Sequence, residues 1–417
     1  MSKVIPDGWE ERKLGRLFDI KIGGTPSRNN PLYWDVDKES ENRWVSIRDL
    51  NGRFVRDTIE HLSDDGVKNS NVKRIYRGTV IMSFKLSVGR VAIAGADLYT
   101  NEAIASFSPL QAGTVDRDYL YQGLQFWNLL EEVDQAVKGF TLNKEKLSNI
   151  TGLFPPFPEQ QTIASILTSV DEVIEKTQSQ INKLQDLKKG TMNELLTRGI
   201  GHTEFKDSPV GRIPKGWEVM NVSDLLEFKN GLNKEKSAFG SGLLIVNYMD
   251  VYKNQVIFSE NLYGRVNLTS SEIQRFSVLN GDVFFTRTSE TPEEIGLSSV
   301  YIGNDEDIVF SGFVLRGRHV GTSLHPEFSG YCFRADYLRS QITGSCSYTT
   351  RALTNGTLLG NVVLALPPVS EQQQIASILS SIDTNIEEKQ RKLQQTQSLK
   401  KSLMQDLLTG KVRVTVH

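Results

Sequence analysis

Two stretches of the chain carry a narrow apolar stripe on an otherwise polar background. In the first, Ile163, Leu167, Val170, Ile174, Thr177, Ile181, Leu184 and later Leu195 recur in alternating steps of four and three. In the second, Ile375, Leu379, Ile382, Ile386, Leu393, Leu403 and Leu407 keep the same steps. This is a heptad seam, and it predicts two long helices with one face each to bury. Glu, Gln, Lys and Asp cover the remaining faces, so the economical solution is for the two stripes to pack on each other. Lys389, Thr396 and Lys400 interrupt the second seam, and Lys188, Gly190 and Thr191 disturb the first. Pro155-Pro156 and Pro367-Pro368 fix where the helices start, since proline is tolerated before or at the first turn but not inside. A helix from about Glu159 to Thr197 would run about 58 Å at 1.5 Å per residue, longer than one turn of DNA at about 34 to 36 Å.

The helices belong to a repeat. Pro155-Pro156, Glu159-Gln160-Gln161 and Ile163-Ala164-Ser165-Ile166-Leu167 return as Pro367-Pro368, Glu371-Gln372-Gln373 and Ile375-Ala376-Ser377-Ile378-Leu379, a shift of 212 residues. Pro6-Asp7-Gly8-Trp9 returns as Pro214-Lys215-Gly216-Trp217, a shift of 208. Between these shared pieces the halves are almost unrelated, and each reads as mixed α and β. Strands are expected at Arg43–Ile47, Thr79–Phe84 and Val91–Ala94, and at Leu243–Val246, Asp282–Thr286 and Ile308–Phe310; helices at Asp118–Val137 and Glu327–Ile342. The fold class is α+β: two variable domains separated by two long helices in an antiparallel coiled coil, with a pseudo-two-fold internal repeat. Antiparallel pairing follows from connectivity, because a whole domain must be built between the end of one helix and the start of the other. The expected divisions are 1–153 (first variable domain), 154–200 (first helix), 201–365 (second variable domain, opened by the stretch 205–219) and 366–417 (second helix and tail).

Composition narrows the chemistry. A hydrophobic fraction of 38% and a charged fraction of 24% describe an ordinary globular chain. No run of 18 apolar residues occurs and Met1-Ser2-Lys3-Val4 has no signal-peptide character, so a cytoplasmic protein away from membranes is expected. A net charge of −2 argues against gripping nucleic acid by bulk basicity and leaves local patches open. Cys332 and Cys346 are too few for a zinc site and read as reduced thiols.

Catalytic signatures are missing. Phe154-Pro155-Pro156-Phe157 has the outline of the loop with which adenine methyltransferases hold an exocyclic amine, but Phe154 cannot accept a hydrogen bond from that amine. Neither a glycine-rich cofactor turn nor a phosphate-binding loop is present. The five histidines are scattered. The chain reads as a binder.

The junction Phe205-Lys206-Asp207-Ser208-Pro209-Val210-Gly211-Arg212-Ile213-Pro214-Lys215-Gly216-Trp217-Glu218, after Leu195-Leu196-Thr197, closely resembles the central conserved region of specificity subunits of type I restriction-modification systems. The Pro-Pro-x-x-Glu-Gln-Gln-x-Ile-Ala motifs, Leu407-Leu408-Thr409-Gly410-Lys411-Val412-Arg413-Val414, and Gly23-Gly24-Thr25-Pro26-Ser27 with Tyr33-Trp34 look like the same family. The second domain has Lys229-Asn230-Gly231-Leu232 where the first has its Gly-Gly-Thr-Pro. The resemblance implies a non-catalytic subunit that binds double-stranded DNA, each domain reading one half of a split, asymmetric site while the helices set the spacer. It also implies two methylation subunits docked on the helices and two restriction subunits. S-adenosylmethionine, ATP and Mg would then belong to those partners and no cofactor to this chain. A coiled-coil scaffold binding only proteins, and a self-contained methyltransferase or nuclease, are the competing readings.

Base contact needs polar side chains on loops. In the first domain Ser83, Lys85 and Arg90 frame a short turn between strands, and Lys138 and Thr141 precede Asn143. In the second, Arg287 and Thr288 occupy the comparable turn, and Arg351 precedes Asn355. Asn143 and Asn355 match at the shift of 212 and are expected to cap the turns that follow.

Overall fold

The computed structural model describes residues 5–127, 129, 134–136, 139–348 and 350–415, with backbone alone at 134–136 and 139–141. The chain divides into two compact units, Met1–Gln178 with Arg391–His417, and Ser179–Gln390. The first strand set is β1 (Phe18–Ile22), β2 (Phe54–Val55), β3 (Val80–Ser83), β4 (Val91–Ala94) and β5 (Ile104–Pro109). The second is β6 (Leu226–Asn230), β7 (Val256–Ile257), β8 (Val283–Thr286), β9 (Ser298–Tyr301) and β10 (Val314–His319). The long helices are α1 (Phe157–Arg198) and α2 (Val369–Leu407).

Although their sequences have diverged, the two units fold the same sheet. The strand orders are β1-β5-β3-β4-β2 and β6-β10-β8-β9-β7. In each, the first three pairings in that order are antiparallel and the last is parallel. The central strands are buried on both faces, which is why they read as continuous apolar runs. Strand alternation sends Val80, Met82, Val91 and Ile93 to one core and Ile81, Ala92 and Ala94 to another. The second sheet divides Val283, Phe285 and Val300 from Phe284 and Tyr301 in the same way.

One glycine in each unit holds the corner after the edge strand. A Cβ on Gly23 would lie 2.1 Å from the Thr100 carbonyl oxygen, and one on Gly231 would lie 2.1 Å from that of Ser311. Thus the Gly-Gly-Thr-Pro stretch and Lys229-Asn230-Gly231-Leu232 share a glycine pressed against a backbone carbonyl.

Both expected domain helices are shorter than the sequence suggests. Arg117–Phe126 is capped by Asp116 and stops where Trp127 turns extended. Its indole packs onto Gly123 and Gly152, where an added Cβ would approach to 2.4 and 2.6 Å. Asp134–Ala136, expected as helix, is a strand paired with Gly139–Thr141. Glu327–Ile342 is broken into Pro326–Cys332 and Asp336–Ser345. At the break Phe333 is buried against Phe285, and Arg334 turns inward to donate to the Ser298 and Asn254 carbonyls at 2.6 to 2.9 Å. Burial lowers the Arg334 pKa to about 10, with Arg339 adding to the effect.

The seam positions of α1 and α2 are all buried or half-buried. Within the first unit Ile163, Ala164 and Leu167 share a core with Leu407 and Leu408 while Asp171 meets Lys400, so residue numbers run in opposite directions on the two helices. The second unit repeats this: Ile375 and Leu379 share a core with Leu196, and Asp383 meets Lys188. The pairing is antiparallel in each unit. Lys188 and Lys400, which disturb the apolar seam, face inward onto aspartates. Left-handed glycines follow both helices, Gly199 at φ +66° and Gly410 at φ +71°. Among the described residues no helix is long and apolar enough to cross a membrane.

Candidate nucleic-acid interface

The repeated Glu-Gln of each helix start anchors its domain. Glu159 is buried, accepts from Trp9 Nε1 at 3.2 Å and binds the Arg413 guanidinium through both oxygens at 2.7 and 2.9 Å. That carboxylate raises the pKa of Arg413. Glu371 accepts from Trp217 Nε1 at 2.9 Å and from the Ile200 backbone N–H at 2.9 Å, and pairs with His202 Nε2 at 2.8 Å. Beside them, Gln160 accepts from the Asp116 N–H and donates to the Thr114 and Pro155 carbonyls. Gln372 does the same with the His325 N–H and the Ser323 and Pro367 carbonyls. The recurrence of Glu-Gln in the sequence therefore marks a joint, and the Gly-Trp repeat marks its other half.

Asp171 and Asp383 make a second joint. Asp171 accepts from Gln122 Nε2 at 2.6 Å and binds Lys400 at 2.6 Å. Asp383 accepts from the Tyr331 hydroxyl at 3.0 Å and binds Lys188 at 2.6 Å. Each aspartate so ties one domain and both helices together. Sequence reasoning missed these four charges, although Asp171 and Lys188 recur as Asp383 and Lys400 at the same shift of 212.

The sheets then present one loop in the same place, closed by the same device. In the first unit the Ser83 hydroxyl accepts from the Arg90 N–H at 3.1 Å and donates to the Ser87 carbonyl, while Gly89, at φ +88°, donates to the Ser83 carbonyl at 2.9 Å. In the second unit Thr286 Oγ1 accepts from the Leu297 N–H at 2.9 Å and donates to the Glu294 carbonyl at 3.0 Å. There Gly296, at φ +62°, donates to the Thr286 carbonyl at 3.0 Å. The closing glycine lies six residues beyond Ser83 and ten beyond Thr286. The lock is common and the loop is not. Asn143 and Asn355 cap the helical turns that follow, accepting from the Lys146 and Leu358 N–H groups.

The residues expected to touch DNA divide accordingly. Ser83 is fully buried, and its hydroxyl serves the lock. Lys85 is half-buried with its ammonium 5.4 Å from the Phe84 ring centre, and Arg90 is exposed. Lys138 lies outside the described residues, and Thr141 is described by its backbone in the strand Gly139–Thr141. Arg287 donates to the Gly312 carbonyl at 3.2 Å. Thr288 and Arg351 come together on one pocket of about 350 Å³ that also includes Tyr248, Tyr252, Ser289, Glu290, Glu294 and Phe313.

Tyr248 and Tyr252, one turn apart on Tyr248–Lys253, stack at 5.8 Å and 17°. Burial raises the Tyr248 pKa, with Glu294 contributing. Elsewhere in the unit Lys229 stands opposite Arg316 in the β6–β10 ladder. Burial lowers its pKa, followed by the charges of Arg316, Arg275 and Arg318. The basic cluster was not legible beforehand because it joins residues from separate elements, and the tyrosine pair shows only once Tyr248–Lys253 is seen to be helical.

A common frame presenting two different loops is the arrangement of a protein that reads two things. The profile of the type I restriction modification DNA specificity domain matches twice, over residues 6–186 and 214–397. The chain belongs to that family. It is similar to the MjaVIII type I restriction enzyme specificity subunit of Methanocaldococcus jannaschii, 29% identical over 98% of this chain and 94% of that one. The MjaIX specificity subunit of the same organism is 22% identical over 98% and 95%. A crystal structure of a type I restriction-modification S subunit from M. genitalium shares the fold, with a TM-score of 0.58, 12% identity, and coverage of 100% and 98%. Membership in this family makes the chain a DNA-recognition subunit of a type I restriction-modification system, and the protein-only scaffold is set aside.

Proposed function

We propose that each unit reads one half of a split, asymmetric double-stranded DNA site. In this reading α1 and α2 set the spacer and carry two methylation subunits, and two restriction subunits complete the assembly. The chain itself catalyses nothing. S-adenosylmethionine is held by the methylation subunits, and ATP and Mg by the partners that translocate and cut, all in the cytoplasm. The observation that carries this reading is the pair of Ser83 and Thr286 locks, which hold loops of different length and sequence on the same strand pair. Central sheets of the same strand order with different loops suit two different half-sites, and the repeated joints suit two like partners.

Mapping the bases methylated by the native assembly across a genome tests this directly. The expected result is a motif of two unlike parts separated by a fixed number of unread positions; a single undivided motif would overturn it. Inserting four residues into α1 adds about 6 Å of helix, nearly two base pairs at about 3.4 Å each. An unaltered spacer in that variant would remove the ruler from the reading.

A further inference from the structure

Resting on that reading, the pocket of the second unit carries a more specific assignment. Strand Thr288–Ser289 pairs antiparallel with Ala352–Leu353, in the register Thr288↔Leu353 and Ser289↔Ala352. One residue beyond the last pair on each strand stand Glu290 and Arg351. They are opposite in charge, both are exposed, and both line the pocket. Neither makes a hydrogen bond or ion pair with a side chain or backbone group among the described residues. The other carboxylate is occupied: Glu294 accepts from the Tyr252 hydroxyl at 2.8 Å and from Ser289 Oγ at 3.1 Å. Glu290 is thus left with its acceptor positions open and Arg351 with its donors open, at the end of this strand pair in a three-stranded sheet that Ser347–Tyr348 completes, beside the stacked Tyr248 and Tyr252.

This pairing selects its ligand. A carboxylate repels phosphate and asks for a donor, and the donors on DNA edges in the major groove are the exocyclic amines of cytosine and adenine. A guanidinium beside it asks for two acceptors, which guanine supplies through O6 and N7. The base pair presenting an amine next to such an acceptor pair is C·G, whereas the partner of adenine offers only thymine O4 and a methyl group.

We propose that Glu290 and Arg351 read one C·G pair in the half-site of the second unit, Glu290 accepting from cytosine N4 and Arg351 donating to guanine O6 and N7.

The test compares methylation motifs of the full assembly carrying wild-type chain, Glu290→Ala or Arg351→Ala, with thermal melts as the folding control. The expected wild-type motif has a C·G pair at one position, and both variants relax that same position while leaving the other half-site unchanged. If a variant assembly modifies too little DNA for a motif, its binding to duplexes with that pair intact or changed to T·A decides. The wild type should discriminate by about tenfold or more and the variants close to onefold. A wild-type site without C·G in the half-site that responds, or discrimination unchanged in folded variants, overturns the assignment. A wild-type assembly without a split motif would instead overturn the functional reading, whatever Glu290 does.

Discussion

Lys400 Nζ lies 2.6 Å from Asp171 Oδ1 across the paired helices of the first unit, where a heptad seam would ordinarily place an apolar residue. Both side chains are largely buried, at 15% and 12% exposure. Removing one partner leaves the other charged and desolvated, and Asp171 also satisfies Gln122. Asp171→Ala is expected to destabilise the chain by about 2 kcal/mol. Adding Lys400→Met should recover part of that loss, because an apolar side chain suits the seam. Urea unfolding of the two single variants and the double variant measures the coupling; strict additivity would show that the pair does not act as a unit.

The seam itself was legible because its apolar steps recur over about nine turns, and the antiparallel pairing followed from chain connectivity. The ion pairs were not, because a lysine in a heptad looks like a defect until its partner is found on another helix. The sheet order was equally hidden. The β1 and β5 strands pair across more than eighty residues, and β2 and β7 are two residues long, too short to leave a period. The helix ends misled for a related reason: Trp127 and Arg334 terminate helices by what they pack on, which no local pattern records. Of the residues expected at the DNA, Thr288 and Arg351 share a pocket, while Ser83 holds the loop from inside. Glu290 stood in the same stretch of sequence as Thr288, but its open valences appear only once Glu294 is seen to be satisfied.

Glycines separate sharply into those that packing requires and those it does not. Gly23→Ala and Gly231→Ala each force a methyl to 2.1 Å from a backbone oxygen, and should cost about 2 to 4 kcal/mol as the corner strand moves away. Gly190 lies inside α1 with nothing within 4 Å of an added Cβ. Gly190→Ala should therefore stabilise by about 1 kcal/mol. Thermal melts of the three variants give the ranking, and equal effects at Gly23 and Gly190 would contradict the packing argument.

Acid sensitivity has a named source in the second unit. Glu272 closes a capping box with Thr269 and binds Lys234 at 2.8 Å. These contacts, Lys234 first, lower its pKa from 4.5 to about 2. A carboxyl group with a depressed folded pKa contributes stability above its unfolded value and loses it as pH falls toward the folded one. Glu272→Gln should thus lower stability at pH 7, with the difference from wild type shrinking between pH 4.5 and 2. Urea midpoints across that range check the sign; a gap that widens toward acid would contradict it.

The lock beneath each recognition loop gives the last prediction. Thr286 is fully buried, and its hydroxyl both accepts from Leu297 and donates to Glu294. Thr286→Val keeps the shape and removes both bonds, leaving a buried N–H and a carbonyl without that partner, a loss of about 1 to 3 kcal/mol. Thr286→Ser retains the hydroxyl and loses only a methyl group, so it should cost less. Because the lock positions Thr288 through Glu294, the valine variant should also discriminate less among sequences in the half-site of the second unit. The first half-site, framed by Ser83, should be read as before. Methylation motifs of assemblies carrying each variant distinguish a lock from a merely stabilising threonine: loss of discrimination in both half-sites would mean general unfolding, and loss in one alone would place the device under the loop that it closes.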